Sequence, residues 1–300
     1  MMKVYAKTQI VSKSLKYPFR LKSEGEMGKR TRKERNFCMQ VVILAGGFGT
    51  RISEESHLKP KPMIEIGGMP ILWHIMKNYS AYGFNEFIIC GGYKQHIIKD
   101  FFNNYFLHAS DVTFDFTNST NRMRVHKTYT EQWKVTVADT GLNTMTGGRI
   151  RRIKKYLNPD EPFLLTYGDG VSDVDINALI NFHKKNGKLA TLTVVNAGQR
   201  FGVIKMGKEN GPISSFREKR DSDGNPINGG FMVLDPKIID YIDGDDTVFE
   251  RTPLERLAKE GQLCGFRHEG FWQCMDTKKD WDTLEKLWES GEAPWKNWVD

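Results

Sequence analysis

The chain lacks any apolar stretch near the roughly 20 residues that a membrane-spanning helix needs. Its strand-like runs, such as Phe163 to Tyr167, fall far short of that, so no membrane partner is expected. Cysteine is scarce: the four, at positions 38, 90, 264 and 274, form no C-x-x-C pair, and the seven histidines show no H-x-x-x-H or Cys/His ligand spacing. A disulfide scaffold and a structural zinc site are therefore not expected, and reduced thiols fit a cytoplasmic protein. Internal repeats and low-complexity linkers are absent between residues 40 and 300.

Acidic charge is scarce only at the start. Residues 1–38 hold 11 Lys and Arg against 3 Glu, a net +8; the remaining 33 Lys and Arg face 34 Asp and Glu, a net −1. A balanced body argues against a wide phosphate-tracking surface, since nucleic-acid binding of that kind needs clustered cations. No nucleic-acid partner is expected. The basic segment has no sustained periodicity and no secretory h-region, and its Glu24, Glu26 and Glu34 count against an acid-poor transit peptide. It reads as a disordered extension, either a solvated arm without function, a product of a start codon upstream of Met39, or a basic tether or targeting segment, ahead of a domain spanning 39–300.

What is present is an alternation of strand and helix patterns. Val41 to Ala45 is a fully apolar run. After Pro70, residues Ile71, Leu72, Ile75, Met76 and Tyr79 fall at helical spacing up to a stop at Gly83. Further strands are expected at Phe87 to Cys90, Phe163 to Thr166, ATLTVV, FGVIKM, PISSF and GGFMVL, with helices over Gln95 to Phe106, after Asp173 and Asp175, and in the terminal WDTLEKLWES. The fold class is α/β: one Rossmann-like, mixed, mainly parallel sheet flanked by helices, with a β-rich second half. The polar stretch 107–148 reads as a long excursion over the sheet, of a kind that is often functional.

The stretch VVILAGGFGTRISEESHLKPKP carries the chemistry. A P-loop would need G-x-x-x-x-G-K-[ST], and no Lys-Ser or Lys-Thr follows Gly46, Gly47 and Gly49. A dinucleotide fingerprint would need a third glycine where Ile52 stands, and a helix where a Pro-rich loop follows. What remains is an anion cradle of bare backbone with Arg51 as a forked clamp and Lys61 held between Pro60 and Pro62. Asp169 lies between Gly168 and Gly170 directly after an apolar strand, a rigid place for a metal-binding carboxylate. Asp173 and Asp175 suit helix capping instead.

L-A-G-G-x-G-T-R followed by K-P-K-P-M resembles the signature of the sugar-1-phosphate nucleotidyltransferases, and the resemblance extends from Met39 to the C-terminus. ILWHIMKNYS, YFLHASDVTF, ADTG with MTGGR, TYGDGVSD, INGGFMVL, GFWQCMDT and APWKNW are most similar to the branch that acts on CTP and glucose 1-phosphate. The resemblance implies Arg51 and Lys61 as catalytic cations, and Leu44, Ala45, Gly46, Gly47, Gly49, Thr50 and Gly168 around the nucleotide. It implies Mg²⁺ on Asp169 and Asp276, although Asp276 beside Thr277 also fits an exposed turn. Gly202, Glu218, Lys219, Gly229 and Gly230 would form sugar-phosphate stations, each glycine alone being more often a bulge or turn and only their joint order informative; Arg220 stands where the family's E-K-P form has proline. Thr146 and Arg149 fit either nucleotide binding or an oligomer contact. A homo-oligomer, a hexamer by resemblance, is implied, and Trp288, Trp295 and Trp298 fit either apolar contact between subunits or ordinary packing. The rival readings are a thymidylyl- or uridylyltransferase and a non-catalytic nucleotide-sugar sensor on the same fold.

Overall fold

The computed structural model describes residues 39–49, 59–117, 122–196, 203–206, 210–217 and 226–299. Strand β1 (Val41–Ala45) is buried along its whole length. Strands β2 (Glu65–Ile66) and β3 (Met69–Pro70) pair across Gly67 and Gly68, whose φ of 57° and 77° make the two-residue primed turn that glycine permits. Helix α1 (Ile71–Ala81) follows, ended by Gly83 at φ 88°; the Gly83 and Phe84 N–H groups return to the Ser80 and Tyr79 carbonyls in a Schellman closure. Strand β4 (Glu86–Gly91) and helix α2 (Gln95–His108) come next, then the antiparallel hairpin of β5 (Ser110–Asp115) and β6 (Arg122–Thr128).

Strand β7 (Lys134–Asp139), helix α3 (Thr146–Arg152), β8 (Phe163–Tyr167) and the short β9 (Gly170–Ser172) lead to α4 (Ile176–Asn186). Asp175 caps α4 by accepting the Ala178 N–H at 2.9 Å, and Gly187 closes it at φ 59°. The second half contains β10 (Ala190–Val195), β11 (Val203–Met206), β12 (Gly211–Arg217), β13 (Ile227–Leu234), α5 (Thr252–Lys259), β14 (Leu263–Arg267), β15 (Trp272–Cys274) and α6 (Lys278–Glu289).

One mixed sheet runs in the order β10, β14, β12, β11, β13, β8, β1, β4, β7. The block β8, β1, β4, β7 is parallel, and β13 joins it antiparallel through β8. Side chains alternate across a strand, so Val41, Ile43 and Ala45 enter one core and Val42 and Leu44 the other. The first core is covered by α1, α4 and α6, the second by Ile150 of α3, Leu254 and Leu257 of α5 and Ile238 and Ile239. Three layers result, with loops gathered at the carboxyl ends of the parallel strands. Part of the expected excursion 107–148 is in fact regular: Lys134–Asp139 pairs parallel with β4 and forms the sheet edge. Its half-exposed, polar composition suits an edge strand and hides it from a search for apolar runs.

Candidate active site

Two carboxylates far apart in sequence meet because β9 and β15 pair antiparallel, with Cys274 opposite Gly170. Asp169 immediately precedes β9 and its carbonyl accepts the Met275 N–H at 2.8 Å, which brings Asp276 alongside. Lys61 lies between them, its Nζ 2.6 Å from Asp169 Oδ2 and 2.5 Å from Asp276 Oδ1. The lysine side chain is 12% exposed and that of Asp276 11%. Burial alone would lower the Lys61 pKa, but the two carboxylates outweigh it and hold the ammonium above its ordinary 10.5. Two hard oxygen donors around one positive charge are an arrangement that could hold a metal cation. No group of three His, Cys, Asp or Glu side chains converges among the described residues, so a divalent ion here would take its other ligands from phosphate and water.

The loops around this pair enclose a cleft of about 530 Å³. Leu44, Ala45, Gly46, Gly47, Gly49, Lys61, Thr146, Arg149, Gly168, Asp169 and Asp276 all line it. Thr50, Arg51, Gly202, Glu218 and Lys219 lie outside the described residues. The glycines do different work from one another. Gly47 has open space around it, and Gly49 adopts φ 64°, so both leave backbone bare toward the cleft. At Gly168 a Cβ would come within 2.9 Å of the Pro62 ring; the missing side chain lets that proline seat against the end of β8 and aim Lys61.

Gly46 makes room for an arginine. A Cβ there would lie 2.1 Å from Arg149 Nη1. The Arg149 guanidinium donates to the carbonyls of Gly46, Gly91, Gly141 and Leu142 and to the Thr140 hydroxyl, at 2.8 to 3.2 Å. Its residue is 5% exposed, and burial lowers its pKa. Arg149 therefore ties the glycine loop to the ends of β4 and β7 from within the chain. Thr146 is likewise engaged internally, donating to Glu250 Oε2 at 2.6 Å. Gly229 and Gly230 are not in the cleft lining; Cβ atoms there would meet Val195 Cγ1 at 2.9 Å and the Tyr167 ring at 2.5 Å. Their smallness lets Val195 and the Tyr167 ring pack against β13.

Asp280 escaped the sequence reading. Its Oδ2 accepts the N–H groups of Asp276 and Thr277 and the Thr277 hydroxyl, while Thr277 caps α6 in return. The T-x-x-D spacing was the available signal, a capping box directly behind the Asp276 carboxylate. A second cleft, about 630 Å³, lies beside α2 and includes Trp73, Phe101, Tyr105 and Glu131. It is larger, yet its polar groups are spent on each other: Trp73 Nε1 donates to Tyr105 Oη, which donates to Glu131, and Lys77 pairs with Glu131. It also lacks a Lys held between two carboxylates, and its one lining glycine, Gly68, belongs to the β2–β3 turn and not to a parallel strand end.

The nucleotidyl transferase family pattern matches residues 40–282. Over 260 residues the chain is 57% identical to the glucose-1-phosphate cytidylyltransferase of Salmonella typhi, covering 87% of this chain and 100% of that one. It belongs to the glucose-1-phosphate cytidylyltransferase family. The probable glucose-1-phosphate cytidylyltransferase of Bacillus subtilis is 46% identical over 261 residues, again across 87% of this chain and 100% of its own. HddC from Yersinia pseudotuberculosis shares the fold at a TM-score of 0.65 and 24% identity, over 83% of this chain and 99% of that one. In this cytidylyltransferase family member the glycine loop, Lys61 and the two carboxylates occupy one cleft at the carboxyl ends of the parallel strands, where open α/β sheets bind ligands.

Proposed function

We propose that the protein joins CTP to α-D-glucose 1-phosphate, forming CDP-glucose and pyrophosphate for nucleotide-sugar biosynthesis, through the domain spanning 39–300. The observation that carries this reading is the meeting of Lys61 with Asp169 and Asp276 in the cleft behind the glycine loop. A phosphate oxygen of glucose 1-phosphate attacks the α-phosphorus of CTP, the new P–O bond forms, and the bond to the bridging oxygen of pyrophosphate breaks. The nucleophile is already anionic at neutral pH, so no side chain has to remove a proton. What the chain supplies is alignment and charge.

The bare backbone at Gly47 and Gly49 cradles the phosphates, with Arg51 as the clamp on the leaving group. Lys61 is protonated at every working pH because its pKa is raised, and its ammonium faces the α-phosphate. Asp169 and Asp276 would hold Mg²⁺, which when bound neutralises phosphate charge. Arg149 fixes the carbonyl side of the glycine loop so that its N–H side stays turned to the cleft. Thr146 and Arg149 shape the nucleotide wall, and the INGGF strand with Gly202, Glu218 and Lys219 receives the sugar phosphate. A homo-oligomer, a hexamer by resemblance, and a cytoplasmic location belong to the same reading.

Phosphorus NMR of CTP, glucose 1-phosphate and Mg²⁺ with the enzyme tests the chemistry directly. Paired diphosphate resonances of CDP-glucose should grow with pyrophosphate; inorganic phosphate and CDP in their place would mean hydrolysis and contradict it.

A further inference from the structure

Glu250 belongs to none of the motifs above, yet it touches both sides of the cleft. Its Oε2 accepts from Thr146 Oγ1 at 2.6 Å and its Oε1 from Tyr167 Oη at 2.5 Å. Thr146 Oγ1 also accepts the Phe249 N–H at 2.9 Å, which fixes that hydroxyl as the donor to Glu250. The loop carrying Glu250 grips α3 by its backbone as well: Met145 N–H donates to the Asp245 carbonyl and Gly147 N–H to that of Thr247, at 2.8 and 2.9 Å. Gly147 and Gly148 admit the loop, since Cβ atoms there would lie 2.7 and 2.5 Å from those Thr247 and Asp245 oxygens.

Tyr167 is the other arm. It ends β8, immediately before Gly168 and Asp169, and its ring lies against Gly230 of β13, where a Cβ would approach to 2.5 Å. Thr146 and Tyr167 both line the cleft. Each is held by a hydrogen bond to an ionised group, about twice as strong as one between neutral partners. We propose that Glu250 is a positioning residue that sets the nucleotide wall, through Thr146, and the sugar-phosphate side, through Tyr167, at one fixed separation. The proposal rests on the cytidylyl-transfer reading for which substrate belongs to which side.

The test is a split of KM values, repeated as dissociation constants by calorimetry. Glu250→Ala should raise KM for both CTP and glucose 1-phosphate, each by about tenfold, the loss expected when a charge-assisted hydrogen bond goes. Thr146→Val should raise the CTP value alone and Tyr167→Phe the glucose 1-phosphate value alone. Glu250→Gln, which keeps length and an acceptor, should stay within about threefold of wild type. A purely structural glutamate would lower thermal stability and the active fraction while leaving both KM values in place, and that result would overturn the proposal; so would a single-arm variant that moved the wrong substrate. Should Glu250→Ala fail to fold, Thr146→Val and Tyr167→Phe, combined and apart, decide the matter: arms coupled through Glu250 give non-additive shifts, and additive ones would overturn the proposal. Wild type is assayed first. If it prefers another triphosphate or sugar phosphate, the substrate reading fails on its own, and the split is judged on the pair it uses.

Discussion

At Lys61 one ammonium holds two carboxylates that would otherwise face each other in a half-closed site. Lys61→Ala should cut turnover by about 10²- to 10³-fold, the range for deleting a preorganised charge partner of the reacting group. The same variant should gain more thermal stability from added Mg²⁺ than wild type does, because its carboxylates have lost their cation; equal gains would separate the metal from this pair. Gly46→Ala is a sharper probe of the loop, since its Cβ would strike the Arg149 guanidinium. It should weaken CTP binding measured by calorimetry while the circular dichroism stays unchanged. The identity of this glycine was legible in the sequence, but the reason for it was not: its neighbour is an arginine about a hundred positions away, and spacing in sequence carries no record of that contact.

Helix α6 shows how an element carries chemistry without touching substrate. Its capping box joins Thr277 and Asp280, and the same Asp280 carboxylate accepts the Asp276 N–H. Thr277→Ala should cost about 1 kcal/mol by urea unfolding, the usual value of a lost cap. Asp280→Ala should in addition raise the Mg²⁺ concentration needed for half-maximal rate, because the turn bearing Asp276 loses its anchor. A rate curve superimposable on wild type would confine Asp280 to capping. Elements with full periodicity, such as α1 and β1, were readable almost to the residue, whereas β7 was lost because an edge strand exposes one face and alternates only weakly. The pairing of β9 with β15 was also invisible: each has three residues, too few for any pattern, although it is what brings Asp169 to Asp276.

Across the whole molecule the C-terminal segment folds back on α1. Trp295 is fully buried, and its indole N–H points to His74 Nδ1 at 3.4 Å while His74 Nε2 bonds the Ile66 carbonyl at 2.8 Å. Trp288 and Trp298, both partly buried, pack on the same imidazole. Burial lowers the His74 pKa to about 4 from 6.5, against smaller opposing effects of the Ile66 and Met69 backbone. A depressed histidine is neutral when folded, and the unfolded chain binds the extra proton. Stability is therefore intact above pH 6.5 and is lost as pH falls toward 4, by up to about 3 kcal/mol. Urea unfolding at pH 7.5 and 5 should show this loss, and His74→Gln should shrink it; an unchanged difference would place the titration elsewhere. Buried His183, also lowered by burial, pushes in the same direction.

At the same scale lies the choice of nucleotide, the point on which the account depends most. Pyrophosphate release with glucose 1-phosphate and Mg²⁺ should be measured separately with CTP, UTP, dTTP, ATP and GTP. The account predicts a strong preference for CTP, abolished by Lys61→Ala. Equal or faster release with another triphosphate would contradict the cytidylyl assignment, and silence with all five would contradict catalysis on glucose 1-phosphate altogether.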